Sequence, residues 1–133
     1  MATDVFFQSI AETAAQLEAR TLSAVELTRA VVARTQAVEP RVRAFNSYDE
    51  ADALAQAAHS DARRAAGRTC GPLDGIPIGL KDVIAVRNQP LTASSRMLAN
   101  FISPYDATVT EKLRAAGAVL YGDRKSTRLN SSH

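Results

Sequence analysis

Gly71 to Asp82 reads GPLDGIPIGLKD and carries the only lysine among the first hundred residues. Gly71-Pro72, Gly75 and Pro77 force a turn followed by extended backbone. Ile76, Ile78 and Leu80 then predict a short buried strand over 76–80. Lys81 emerges where that strand ends. A lysine held beside an apolar wall suits base chemistry, because burial disfavours the charged ammonium. On spacing alone the competing account is a solvated Lys-Asp pair at the surface, the usual fate of exposed charges.

Downstream, the run after Pro104 predicts a helix with Asp106 as its N-cap, burying Val109, Leu113 and Ala116 and closing at Gly117. A strand over 118–121 follows at once. With the strand over 76–80 this makes a strand-helix-strand unit and predicts an α/β class. A parallel sheet must be covered on both faces, so more sheet is expected than these residues supply.

Upstream, Phe6, Ile10, Ala14 and Leu17 fall at helical spacing and predict a first amphipathic helix from about Asp4. Ser23 and Glu26 match a capping box that opens a second helix over 24–38, burying Ala24, Leu27 and Val31 and stopping before Pro40. The piece 42–47, VRAFNS, reads as a strand with Val42, Ala44 and Phe45 inward. Asp49 then caps a third helix whose stripe at 51, 54, 55, 58, 62 and 65 is small and apolar, ending at Gly67. Arg63, Arg64 and Arg68 sit at its C-terminal end, where the helix dipole favours cations.

At 133 residues the chain is either one modest domain or a piece of a larger one. Hydrophobic residues make up 46% and charged residues 23%, the balance of an ordinary globular chain. No apolar run approaches the roughly 18 residues of a membrane span. The N-terminus MATDVFFQSI has an acid where a signal peptide carries its basic segment, so a cytoplasmic protein is expected, with an organellar home left open. Of 16 Lys/Arg and 14 Asp/Glu, three cations and one acid lie in residues 123–133, leaving 13 of each before them. The net charge of +2 therefore belongs to the tail, and the body carries no basic surplus of the kind a nucleic-acid face requires. Cys70 has no partner for a disulfide, and neither His59 nor His133 has metal-ligand spacing around it. Ser94 and Ser95 are adjacent hydroxyls of the kind that cap loops. The last eleven residues, DRKSTRLNSSH, lack apolar periodicity and are read as either a disordered tail or sequence foreign to the domain, the second being preferred, and are left out of fold reasoning.

Taken together, GPLDGIPIGLKD, LTASSRMLANF and PYDATVTEKLRAAGAVLYG resemble the N-terminal portion of the amidase signature family. The resemblance is dense over 71–122 and extends more loosely back through TLSAVELT and VRAFNSYDEADALAQA. The Ala-Ser-Ser-Arg-Met-Leu and Pro-Tyr-Asp-Ala-Thr-Val wording is similar to the tRNA-dependent branch, the A subunits of glutamyl-tRNA(Gln)/aspartyl-tRNA(Asn) amidotransferases. What the resemblance implies is an incomplete α/β unit, the first part of a fold in which helices pack on a mixed sheet, with residues 1–122 inside the domain and 123–133 outside it.

It also implies a Ser, cis-Ser, Lys triad acting on a carboxamide, with Lys81 at the catalytic lysine as proton relay and general base. The two serines belong to a Gly/Ser-rich region that nothing in this chain matches, so Ser94, Ser95, Ser126, Ser131 and Ser132 are not assigned to them. Asp82 is expected to tie down the loop and not to join the triad. The implied substrate is glutamine, and the implied partners are B and C subunits. Misacylated tRNA is reached through the B subunit, with no membrane involved. No cofactor or metal is expected in this chain's own site; ATP and Mg belong to the B subunit. The rival readings are a stand-alone amidase of the same family and a noncatalytic binding module in which Lys81 is merely structural.

Overall fold

The computed structural model describes residues 5, 7–93 and 95–124. Helices α1 (Ile10–Glu18) and α2 (Ala24–Val42) lead into strand β1 (Phe45–Tyr48) and helix α3 (Glu50–Ala65). Strand β2 (Pro77–Lys81), a short 3-10 helix (Arg96–Leu98), helix α4 (Thr108–Ala115) and strand β3 (Val119–Arg124) complete the order. The sheet runs β1-β3-β2, with β3 parallel to β2 and antiparallel to β1. The strand-helix-strand unit expected from sequence is therefore β2-α4-β3.

Residues Val119, Leu120 and Tyr121 are all buried because β3 is the central strand and both its faces are covered. Val119 and Tyr121 join the larger core with Leu17, Leu27, Val32, Ala53 and Ala57 from the helices. Leu120 points the other way, into a smaller cluster with Leu80 and Val86 that Leu113 of α4 partly covers. Beside β3, Gln56 of α3 acts as a surrogate strand: its side chain accepts from the Leu120 amide (2.9 Å) and donates to the Leu120 carbonyl (3.1 Å).

Several expected elements are shifted, each for a local reason. Helix α1 begins at Ile10, where Ser9 caps it by accepting from the Glu12 amide, and its buried positions are Thr13 and Leu17. The expected Asp4 and Phe6 positions lie outside the described residues. The Ser23–Glu26 capping box is present in both directions, and Asp61 of α3 adds a cap by accepting from the Ala24 and Val25 amides. Helix α2 does not stop before Pro40 but runs to Val42. A proline in the last turn removes a single ladder bond, and the Glu39 carboxylate closes the end by accepting from the Ala44 and Phe45 amides. Val42 accordingly ends a helix, exposed, instead of starting a strand.

In α3 the packed positions are Ala53, Ala57 and Ser60, and the alanine stripe read from sequence faces largely outward. The packed face carries polar Gln56 and Ser60, which hid it from a purely apolar pattern. Helix α3 does close at Gly67, whose amide bonds the Arg64 carbonyl while the Arg68 amide reaches Arg63. Helix α4 is capped by Ala107, not Asp106; the Asp106 carboxylate instead accepts from the Arg87 amide and from Arg114. Its buried residue is Thr110, which donates to the Ala85 carbonyl, while Val109 is exposed. Strand β3 runs to Arg124, beyond the expected end at Tyr121.

What aims β2 is a buried carboxylate. Asp74 accepts from Ser60 Oγ (2.6 Å), from Arg63 through Nη2 (2.6 Å) and Nε (3.2 Å), and from the Cys70 amide (2.9 Å). Burial alone would raise the pKa of this carboxyl. The hydrogen bonds from Arg63, Ser60 and Cys70, with the Arg63 charge, outweigh burial and bring it from 3.8 to about 2. Gly117, at φ 81°, fits beside it only because it lacks a side chain: a Cβ there would lie 2.6 Å from the Asp74 carboxyl.

Because the folded-state pKa of Asp74 is depressed, its contribution is full above about pH 4 and is lost as pH falls through about 2. Asp74→Ala leaves Arg63 partly buried without its partner and is expected to cost about 2–4 kcal/mol, read as a lowered urea midpoint at pH 7. Gly117→Ala combines a left-handed backbone with a clash and is expected to cost at least about 2 kcal/mol in the same titration.

Candidate functional site

The parallel strands β2 and β3 end side by side, with Lys81 paired to Arg124 and Leu80 to Asp123. Ligand sites in open α/β sheets form at this carboxyl end of the strands. Lys81 is the last residue of β2, and its side chain is exposed. The apolar wall expected to strip water from it is not supplied by the described residues. Where the polypeptide leaves β2, the Ile84 amide bonds the Lys81 carbonyl and the Asp82 amide bonds the Arg124 carbonyl, so the backbone on either side of the lysine is pinned.

Asp82 is the organising group of this end of the sheet. It is buried and accepts from three donors: the Thr92 amide (2.8 Å), the Thr92 hydroxyl, and Asn46 Nδ2 (3.2 Å). Its carboxylate thus ties the end of β2 to β1 and to the loop after Pro90, the structural role expected of it. In that loop the Ser95 amide bonds the Thr92 carbonyl, and Ala93 adopts φ 49°, a left-handed conformation costly for a residue with a side chain. Asn46, Thr92, Ser95, Arg96 and Asp123 line an open cavity of about 360 Å³ beside it.

Asp123 sits against Asp82 in a different condition. Burial, then the charge of Asp82, raise its pKa from 3.8 to about 7, opposed by a hydrogen bond with Asn46. Its Oδ2 is buried with no hydrogen-bond partner among the described residues.

Of the residues singled out in the sequence, the fold brings Lys81, Asp82 and Ser95 to one end of the sheet. His59 and Cys70 are exposed and lie apart from it. Ser94, Ser126, Ser131, Ser132 and His133 lie outside the described residues. Among the described residues no group of three or more His, Cys, Asp or Glu is placed to hold a metal ion. Sequence reasoning missed Asn46 and Thr92 as partners of Asp82. They are separated from it by 36 and 10 positions, and no spacing rule links them. The site as built offers a fixed lysine, hydrogen-bonding loop groups and a cavity, but no described hydroxyl placed against the lysine.

This arrangement has counterparts in known proteins. The amidase family model matches residues 26–130. The A subunit of the glutamyl-tRNA(Gln) amidotransferase from Chloroflexus aurantiacus is 51% identical over 120 residues, covering 90% of this chain and 25% of that protein. The protein of the same name from Myxococcus xanthus is 51% identical over 111 residues, covering 84% and 23%. The chain thus spans about a quarter of the length of the curated relatives it matches. Among solved structures, the native peptide amidase from Stenotrophomonas maltophilia superposes with a TM-score of 0.82 at 38% identity, over 88% of this chain and 24% of that one. A fatty acid amide hydrolase superposes with a TM-score of 0.83 at 27% identity, over 92% and 21%. With its helices on a mixed sheet matching part of those enzymes and the family model covering most of its length, the chain belongs to the amidase family.

Proposed function

We propose that the chain is the N-terminal part of the glutamine-hydrolysing A subunit of a tRNA-dependent amidotransferase, which converts Glu-tRNA(Gln) or Asp-tRNA(Asn) to the amidated form. The observation that carries this reading is the 51% identity over 120 residues to the A subunit of the Chloroflexus aurantiacus enzyme. Lys81 is assigned the role of proton relay and general base. A neutral lysine would pass a proton through one serine to and from a second, which attacks the carboxamide carbonyl, expels ammonia and leaves an acyl-enzyme for water to cleave. The serines would come from the remainder of the longer protein, so the chain alone lacks two of three catalytic groups. B and C subunits, with ATP and Mg at the B subunit, and a cytoplasmic setting complete the proposal. Among the described residues no helix is long and apolar enough to cross a membrane.

A second reading, a stand-alone amidase acting on small carboxamides, is supported by the 38% identity to the peptide amidase. The two part on substrate. The full-length parent is expected to release ammonia from glutamine and to copurify with B and C subunits; hydrolysis of peptide carboxamides by the parent alone would favour the second.

Residues 1–122 are proposed as family domain and 123–133 as a foreign tail, although the family model matches through residue 130. Asp123 and Arg124 themselves continue β3 in register with β1 and β2, so the proposed boundary rests on the composition shift in the sequence alone.

The chain as it stands is expected to show no glutamine hydrolysis above background in a coupled ammonia assay. Turnover that disappears in Lys81→Ala would overturn this. In the full-length parent, Lys81→Ala is expected to lower kcat by about 100- to 10,000-fold. Asp123 has a raised folded-state pKa, so it withdraws stability as pH climbs from about 4 through about 7. Asp123→Asn is expected to flatten that part of a stability-pH profile and to raise the melting temperature at pH 8.

A further inference from the structure

Two carboxylates meet at the carboxyl end of the sheet, where Asp82 is 1% exposed and Asp123 is 7% exposed. They reach the same place from neighbouring strands. Asp123 is the register partner of Leu80, so its side chain stands on the Leu80 face of the sheet. There it lines the cavity with Asn46 and with Thr92 and Ser95 of the loop that Asp82 ties down. The next register pair, Lys81 with Arg124, falls on the opposite face, and the Arg124 methylenes lie where a Cβ on Gly79 would point. Among the described residues no ammonium or guanidinium forms an ion pair with either carboxylate.

The donors that reach the pair are neutral and are spent on Asp82: the Thr92 amide and hydroxyl, and Asn46 Nδ2. Asp123 Oδ2 is left buried with no hydrogen-bond partner among the described residues. Taking a carboxylate out of water without a partner is costly, and a second carboxylate beside it adds repulsion. A water could satisfy the oxygen but would leave the like charges facing each other. A cation answers both.

We propose that Asp82 and Asp123 hold a partly hydrated hard divalent cation between them, with the Asn46 side-chain oxygen as a third ligand. The donor set is all oxygen with two anionic members, which suits Mg2+ and not a metal that prefers sulfur or imidazole. Mg2+ is commonly bound through one or two carboxylates and keeps several of its waters, for which the open cavity of about 360 Å³ beside the pair has room. Two carboxylates fall short of a set of three or more acids, so the affinity is on the order of millimolar. The ion joins the end of β3 to the turn after Lys81 and stiffens the strand end that carries the lysine, without entering the reaction. This goes beyond the proposed function and holds whichever amide is hydrolysed, so failure of the glutaminase assays would leave it standing.

Thermal melts of this chain at pH 8, in EDTA and then in MgCl2 from about 0.1 to about 20 mM at constant ionic strength, test it. The melting temperature is expected to climb by about 3–6 °C, following the logarithm of Mg2+ above about 1 mM. NaCl at matched ionic strength, which only screens the two charges, is expected to give little of that rise. Asp123→Asn is expected to remove the Mg2+ dependence, and Glu111→Gln, at an exposed acid on α4, to retain it. An amide NMR titration reads binding without a melt: shifts that saturate and centre on Asn46, Thr92 and Asp123 are expected. A melting temperature indifferent to Mg2+, as a proton shared between the two acids would give, overturns the proposal. An equal rise in NaCl, a Mg2+ response that persists in Asp123→Asn, or shifts that grow linearly across the exposed acids would do the same.

Discussion

The Asp74 carboxylate is the constraint on which the geometry of the sheet depends. Fully buried, it must be met by donors, and those donors come from separated parts of the chain: Ser60 and Arg63 on α3 and the amide of Cys70 in the loop that follows. Arg64, next along α3, donates to the carbonyl of the same residue and pairs with Glu18 of α1. The loop is thereby fixed against two helices just before Gly75, whose amide bonds the Gly117 carbonyl, and Ile76, whose carbonyl accepts from the Val119 amide. The direction of β2, its register on β3 and the place where Lys81 emerges all follow from one satisfied charge. A loop held only by apolar contact would leave that register weakly specified.

Seen from that anchor, the glycines at the two ends of the unit have a common cause. Gly117 closes α4 in a left-handed conformation and passes close to Asp74, while Gly75, at φ 89°, lies where a Cβ would meet Ser60 and Ala24. Both let backbone approach the Ser60–Asp74 pair more closely than any side chain allows. The buried network and the turns that surround it are thus one construction, and changing either disturbs the other.

How much of this was legible in the sequence varied with how local its cause is. The Ser23–Glu26 capping box, the Gly67 and Gly117 helix ends, and the β2-α4-β3 unit were readable because each depends on neighbours a few positions apart. The packed face of α3 was not, since half-buried Gln56 and buried Ser60 are held by partners 64 and 14 positions away. Nor was the continuation of α2 through Pro40, which depends on Glu39 turning its carboxylate onto amides beyond the helix. Asp106 shows the same limit: a residue with good capping chemistry is taken by Arg87 and Arg114 instead. At the candidate site, the sequence located Lys81 and Asp82 through a family resemblance. The roles of Asn46 and Thr92 depended on long-range packing that no motif encodes.

The same division explains what Lys81 has and what it lacks. Its backbone position is fixed by hydrogen bonds on both sides and by the Asp82 anchor one residue on. Its surroundings are not, for the side chain is exposed and the apolar surface nearby in sequence, from Val83 to Val109, faces solvent. Positioning a group and removing water from it are separate tasks, the first performed by hydrogen bonds and the second by bulk that excludes solvent. Base chemistry at a lysine requires both, because an ammonium in water holds its proton. The described residues perform the first task and not the second: residues 71–124 fix the backbone at Lys81 and leave its side chain exposed.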